Sequence, residues 1–259
     1  MKNQKKILII SRTIFPSQLP RSYRASELAK ELSRQGHDVT LYAVLGNFDY
    51  SAYESEYKLK IRNIGKMVFA KLNSDDVERR NIIDKILGKV LGRLIEFPDI
   101  ELTYRVLRIV ESEKNIDILI SVAMPFPIHW GCALAKCLYP KTFPKTWIAD
   151  CGDPYMGNKI SKHRKLFYFK YIEKLFCRKA DYITVPVEGA KAGYYPEFSN
   201  KINVIPQGFR FDDINLFPKF VKNEVPTFAY AGIFYKGFRD PSMFLEYLKT
   251  LNIDFKFIV

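Results

Sequence analysis

Six short apolar runs constrain this chain more than any other feature. They are "KKILIIS", "DVTLYAV", "IDILISV", "TWIAD", "DYITVPV" and "KINVIPQGF". They are rich in β-branched residues, and several are continuously apolar rather than alternating. A strand apolar on both faces must be buried on both faces, which is the situation of a parallel sheet covered by helices. The segments between the runs supply such helices. In "YRASELAKELSRQGHDVTLYAV", Ala25, Leu28, Ala29 and Leu32 recur at helical spacing. Gly36 then ends the helix as a C-cap before the second strand. Strand–helix–strand units in series predict an α/β fold with a Rossmann-like doubly wound parallel sheet.

Composition bounds the rest. With 259 residues and 47% hydrophobic content, the chain can bury one or two cores. No uncharged apolar run reaches the roughly 18 residues of a membrane span. The start, "MKNQKKILIISRTIF", is basic then apolar. Arg12 breaks the apolar part and no small-residue cleavage site follows, so it reads as a first strand in a cytoplasmic protein. The four cysteines form no CxxC pair and the three histidines are scattered, so buried free thiols and no metal are expected. The net charge of +13 favours nucleic acid, anionic lipid or phosphorylated substrates without choosing among them.

Within residues 50–115 the clearest element is "NIIDKILGKVLGRLIEF". Apolar pairs at 82–83, 86–87, 90–91 and 94–95 alternate with Lys85, Lys89 and Arg93. This is a basic amphipathic helix that either packs on the sheet or lies on a membrane surface. Near the other end, 212–225 reads as a connector, so residues 1–211 form one domain. The strand–helix–strand pattern restarts at 226–259. One such unit of roughly 35 residues cannot bury its own core, so the second domain is expected to be incomplete at Val259.

Ligands of open parallel sheets bind at the carboxyl ends of the strands, and the loops there hold the candidate residues. After the first run, Arg21 and Arg24 open a helix at its positive pole, where an anion or a paired carboxylate would settle them. The dinucleotide fingerprint GxGxxG is absent, which argues against a nicotinamide enzyme. After "IDILISV", a loop stiffened by Pro125 and Pro127 leads to His129, either an acceptor contact or a packed histidine. After "TWIA" come Asp150 and Asp153, suited to a general base or to hydroxyl recognition. An aspartate before a proline also initiates turns. In "GIFYKGFRDP", Gly232 permits close backbone approach, and Lys236 and Arg239 bring positive charge. The GxxxxGK[ST] spacing of a P-loop is missing.

These residues resemble a family. "QGHDVTLYAV", "IADCGDPY", "CRKADYITVPVEGAKAGY" with "KINVIPQGF", and "FAYAGIFYKGFRDPSMFLEYL" occur in the order found in GT-B fold glycosyltransferases of the family-4-like bacterial group. The resemblance covers nearly the whole chain. It implies two Rossmann-like domains, an N-terminal one for the acceptor and a C-terminal one for most of the nucleotide sugar. The implied reaction transfers a sugar from a nucleotide diphosphate to a hydroxyl with retention, using no cofactor and no essential metal. Its implied setting is cell-surface polysaccharide assembly, with a sugar or lipid-linked sugar as acceptor, in the cytoplasm at the inner face of an anionic membrane. Carried over by position, Arg24, Asp150 and Asp153 would line the acceptor side; from the residues themselves, His129 is a further acceptor candidate and the two aspartates are the catalytic candidates. Gly232, Lys236 and Arg239 would sit near the donor diphosphate. Two departures stand out. "SQLPRS" replaces the family's Gly-Gly pair after the first strand, and the sequence stops before the E-x7-E region. The runner-up reading is therefore a catalytically incompetent product that only binds acceptor or membrane. A sugar-nucleotide epimerase is disfavoured by the motif order, and a nucleic-acid binder by the lack of a recognisable module.

Overall fold

The computed structural model describes residues 4–69, 82–158, 164–210, 222–232, 234, 237, 239–251 and 253–259. The chain divides into two compact units, Met1–Phe209 and Arg210–Val259.

The first unit is built on a parallel sheet. Among the described residues its strands are β1 (Lys6–Ile10), β2 (Asp38–Ala43), β3 (Lys60–Asn63), β4 (Ile118–Val122), β5 (Thr146–Asp150), β6 (Tyr182–Val185) and β7 (Ile202–Val204), in the order β3-β2-β1-β4-β5-β6-β7. Every pairing is parallel, with Leu8 beside Thr40 on one side and Leu119 on the other. The order reverses between β1 and β4, so the sheet is doubly wound as the sequence pattern requires.

Strand β1 shows why the runs are continuously apolar. Successive side chains point to opposite faces. Leu8 and Ile10 join one core with α4 (Glu101–Ser112), α5 (Pro127–Leu138) and α6 (Phe169–Lys179). Ile7 and Ile9 join a second core with α1 (Pro20–Arg34) and α2 (Ser51–Tyr57). Both layers exclude water: Leu8, Ile9 and Ile10 are fully buried, as are Trp147, Phe169 and Phe176 beneath the first layer. Helix α1 begins with Pro20 at its first turn, where a missing N–H costs nothing. It ends at Gln35, and Gly36 follows at φ 88° to turn the chain into β2.

Three elements escaped the sequence reading: α2, β3 and α4. Helix α2 is short and buries no residue, and β3 is an edge strand with one buried residue of four. Helix α4 is amphipathic, with Leu102, Val106, Leu107, Ile109 and Val110 buried. The basic helix is α3 (Ile82–Ile95). No helix among the described residues is long and apolar enough to cross a membrane.

The second unit, taken by itself, holds β8 (Thr227–Ala229) and β9 (Lys256–Ile258), paired in parallel, with α7 (Ser242–Thr250) between them in sequence. Phe228 and Phe244 meet edge to face at 5.5 Å. Leu248 on α7 is its only fully buried hydrophobic among the described residues.

Candidate functional site

The carboxyl ends of the central strands converge on one buried ion pair. Asp150 is the last residue of β5, and Arg24 lies one turn into α1. The Arg24 guanidinium donates to Asp150 through Nη2, 2.7 Å from Oδ1, and through Nε, 3.1 Å from Oδ2. Thr184 Oγ1, on β6, donates to Oδ1 at 2.6 Å, and Arg21 Nη1 reaches Oδ2 at 3.5 Å. Arg24 Nη1 donates to the Pro206 carbonyl at 2.7 Å, in the segment after β7. Thus α1, β5, β6 and the exit of β7 are joined through one carboxylate and one guanidinium, 2% and 8% exposed.

This arrangement answers the oddity of cations at the start of α1. The helix has no acidic residue in its first turn and no side-chain cap. Its positive pole would disfavour Arg21 and Arg24. Asp150 supplies the missing counter-charge from across the sheet. Charge-assisted bonds of this kind are strong, and removing either partner leaves a buried charge uncompensated.

Asp150 therefore has a different role from the general base that the sequence suggested. A base needs a free lone pair within reach of a hydroxyl. Both oxygens of Asp150 are already engaged and the group is enclosed. It positions Arg24 and Thr184 instead.

Asp153, three residues on, is exposed and has no hydrogen bond or ion pair with other described residues. The backbone just beyond it is anchored. Glu173 on α6 accepts from the amides of Tyr155 (3.2 Å) and Met156 (3.3 Å) and from the Tyr195 hydroxyl (2.8 Å). Burial pushes the Glu173 carboxyl up from its ordinary range, opposed by these bonds. The sequence reading missed Glu173. Its signal was an acid inside the apolar stripe of "FKYIEKLFC", where nothing but a buried partner would justify it.

His129 lies in the core and does not line the pocket described below. It is fully buried, with Nδ1 2.8 Å from Ser121 Oγ and Nε2 3.3 Å from Cys151 Sγ. Phe126 and Phe176 lie against its ring, at 5.6 and 5.0 Å between centroids. Burial pushes its pKa down to about 3, and the Cys151 thiol up to about 12. Both are neutral core groups, so the expected acceptor contact is corrected to a packing role.

A pocket of about 330 Å³ opens beside the ion pair, wholly within the first unit. Gln18, Arg21, Tyr23, Arg24, Gln207 and Phe209 form much of its wall. Of these, Arg21 and Arg24 already stood out in the sequence. The Tyr23 and Phe209 rings lie 6.0 Å apart, and both are partly exposed. Gln207 and Phe209 lie beyond β7, at the end of the "KINVIPQGF" run, whose polar and aromatic residues were not singled out as site candidates. Of the donor-side candidates, Gly232 and Arg239 lie exposed in the second unit, and Lys236 lies outside the described residues.

No protein-family profile matches the sequence, and no curated protein matches it. Solved structures do. A glycosyltransferase from Rickettsia africae superposes with a TM-score of 0.58 at 15% identity, over 99% of this chain and 60% of its own. Arabidopsis thaliana UGT89C1, solved with UDP-L-rhamnose, superposes with a TM-score of 0.54 at 10% identity, over 99% of this chain and 65% of its own. A putative UDP-N-acetylglucosamine 2-epimerase from Listeria monocytogenes reaches 0.43, too low to carry weight. The chain thus spans less than two-thirds of the two glycosyltransferases that it superposes on. At such identities the likeness bears on the fold alone. The doubly wound sheet belongs to the Rossmann-like α/β class. Within that class, the fold is that of the GT-B glycosyltransferases.

Proposed function

We propose that this chain is a glycosyltransferase, or the N-terminal part of one, that moves a sugar from a nucleotide diphosphate to a hydroxyl acceptor. The observation that carries the reading is the superposition of 99% of the chain on the Rickettsia africae enzyme. A fold hosts many chemistries, so the site must add to it. Here it adds a half-enclosed pocket at the carboxyl ends of the strands, walled by guanidinium, amide and aromatic groups. Such a wall suits a polyhydroxylated ligand. Asp153 remains the proposed hydroxyl-binding or base group of the pair, because its carboxylate is exposed and has no partner among the described residues. A domain for the acceptor over residues 1–211, a connector over 212–225 and donor-diphosphate contacts from Gly232, Lys236 and Arg239 belong to the same proposal. So do family-4-like membership, retention at the transferred sugar, and a place in cell-surface polysaccharide assembly; these rest on the sequence motifs.

The test is to incubate the protein with a panel of nucleotide diphosphate sugars and hydroxyl acceptors and to follow nucleoside diphosphate release. Acceptor-dependent release is expected. Failure to bind any nucleotide sugar or acceptor would overturn the proposal. Acceptor binding without turnover would favour the reading of a chain that binds and does not transfer.

The proposed cytoplasmic location at an anionic membrane rests on α3. Ile86, Leu87, Val90, Leu94 and Ile95 are exposed on it beside the exposed Lys89 and Arg93. Apolar and basic groups on one surface helix suit an anionic lipid interface. Replacing Lys85, Lys89 and Arg93 with glutamine is expected to reduce sedimentation with phosphatidylglycerol vesicles. Unchanged sedimentation would count against the membrane contact.

A further inference from the structure

We infer that the pocket takes a phosphate group attached to a sugar or other hydroxylated body, and that Arg21, rather than Arg24, grips it. The inference rests on reading this pocket as a substrate site. Its starting point is a count of charges. Two guanidinium groups line the pocket and, among the described residues, no carboxylate does. One carboxylate, Asp150, touches both. Arg24 consumes most of it, since Nε and Nη2 both bond to Asp150 and Nη1 is committed to the Pro206 carbonyl. Arg21 has a single long contact at 3.5 Å, and its side chain remains 24% exposed. Among the described residues it has no other hydrogen-bond acceptor. A guanidinium carries five N–H donors, so most of those on Arg21 are left for a ligand. Among the described residues, the Arg21 charge thus shares its one carboxylate, at 3.5 Å, with an Arg24 that holds it far more closely. The adjoining first turn of α1 carries neither acid nor side-chain cap, and so adds to the demand for an anion.

Gly152 fixes where that charge sits. The Arg21 guanidinium lies on this residue so closely that a Cβ there would come 1.7 Å from Nη2 and 2.4 Å from Cζ. Any side chain at position 152 would push Arg21 off its seat. The glycine of "ADCGDPY" is therefore the seat of Arg21, two residues from the carboxylate that holds Arg24. Around this cation stand the Gln18 and Gln207 amides and the rings of Tyr23 and Phe209. Amides suit hydroxyls, and ring faces suit the apolar face of a sugar. A fork of N–H donors suits phosphate oxygens.

Titration calorimetry at fixed salt tests this with inorganic pyrophosphate, glucose 1-phosphate, farnesyl diphosphate, UDP and, as a neutral control, methyl glucoside. The phosphate-bearing probes are expected to bind, with methyl glucoside at least about tenfold weaker, the loss of one charge-assisted contact. Farnesyl diphosphate as the tightest probe would assign the phosphate to a lipid carrier, glucose 1-phosphate to a free sugar phosphate, and UDP to the donor; each outcome supports a phosphate site. Arg21→Gln and Gly152→Ala are each expected to weaken phosphate binding by about tenfold or more at an unchanged melting temperature, and Arg21→Lys to restore part of it. Wild-type binding by Arg21→Gln, equal binding of methyl glucoside, or no binding of any phosphate probe would overturn the inference. The two readings fail separately. Unimpaired sugar transfer by Arg21→Gln would sink the phosphate site and leave the transferase. Phosphate binding without any nucleotide-sugar use would do the reverse.

Discussion

The two units of this chain are built from the same strand–helix–strand pattern and differ in what they enclose. Met1–Phe209 covers both faces of its sheet, and its charged groups are forced to find one another across strands: Arg24 with Asp150, Glu173 with two backbone amides. Arg210–Val259 has one pair of strands, one helix and a single fully buried hydrophobic, Leu248, among its described residues. Its candidate residues Gly232 and Arg239 are exposed. Enclosure is what turns a loosely matching motif into a defined geometry. A buried charge must have a partner, so its position is determined, whereas an exposed one is solvated and its pairings hold it only weakly.

The largest expected effect follows from that contrast. Asp150→Ala leaves Arg24 buried and unpaired, and is expected to cost about 3–5 kcal/mol in urea unfolding. A loss below about 1 kcal/mol would mean that the pair is solvated, and that the first unit is no more constrained than the second. Core truncations sharpen the comparison. Phe176→Ala, fully buried beneath the sheet, is expected to cost about 3–5 kcal/mol. Leu248→Ala sits at the lower end for a buried leucine, about 2 kcal/mol, because its thin surroundings can collapse. Its loss should be read from faster amide exchange in β8 and β9. Equal costs would erase the difference between the units.

A smaller effect is one of pH. Burial raises the Glu173 carboxyl, so the folded chain prefers it protonated. The stability this contributes is complete below the ordinary glutamate value of about 4.3 and is lost as pH rises through the raised value. Glu173→Gln stays neutral and keeps an oxygen for the two amides. The difference in unfolding free energy, wild type minus variant, is therefore expected to fall with rising pH; a flat difference would show that the carboxylate is not penalised. Least of all, Met243→Ala on α7, 87% exposed, is expected to change stability by no more than about 0.5 kcal/mol.

The parallel sheet was legible because its strands are buried on both faces, and a two-faced strand leaves a continuous apolar run such as "ILII". Helices α2 and α4 and strand β3 were not. One is short and buries no residue, one is an edge strand, and α4 lies after a stretch whose apolar spacing drew attention to α3. In the site, Arg24 and Asp150 could be named, because cations at a helix start and an acid at a strand end are each anomalous alone. That they answer one another could not be read, since they are 126 residues apart. His129 misled for a related reason. A histidine after a proline-stiffened loop looks exposed until Ser121 on β4, Cys151 just past β5 and the rings of Phe126 and Phe176 are seen to enclose it. Gly152 carried no sequence signal, because its role is only to leave room.

The most direct measurement is a double-mutant cycle between Arg24 and Asp150, read as unfolding free energies of the Arg24→Met, Asp150→Asn and combined variants. Asp150 as the buried anchor of Arg24 predicts a coupling energy within the range of about 0.5–3 kcal/mol found for contacting networks, and towards its upper end. A coupling near zero would contradict the account and return Asp150 to the role of a free, reactive carboxylate.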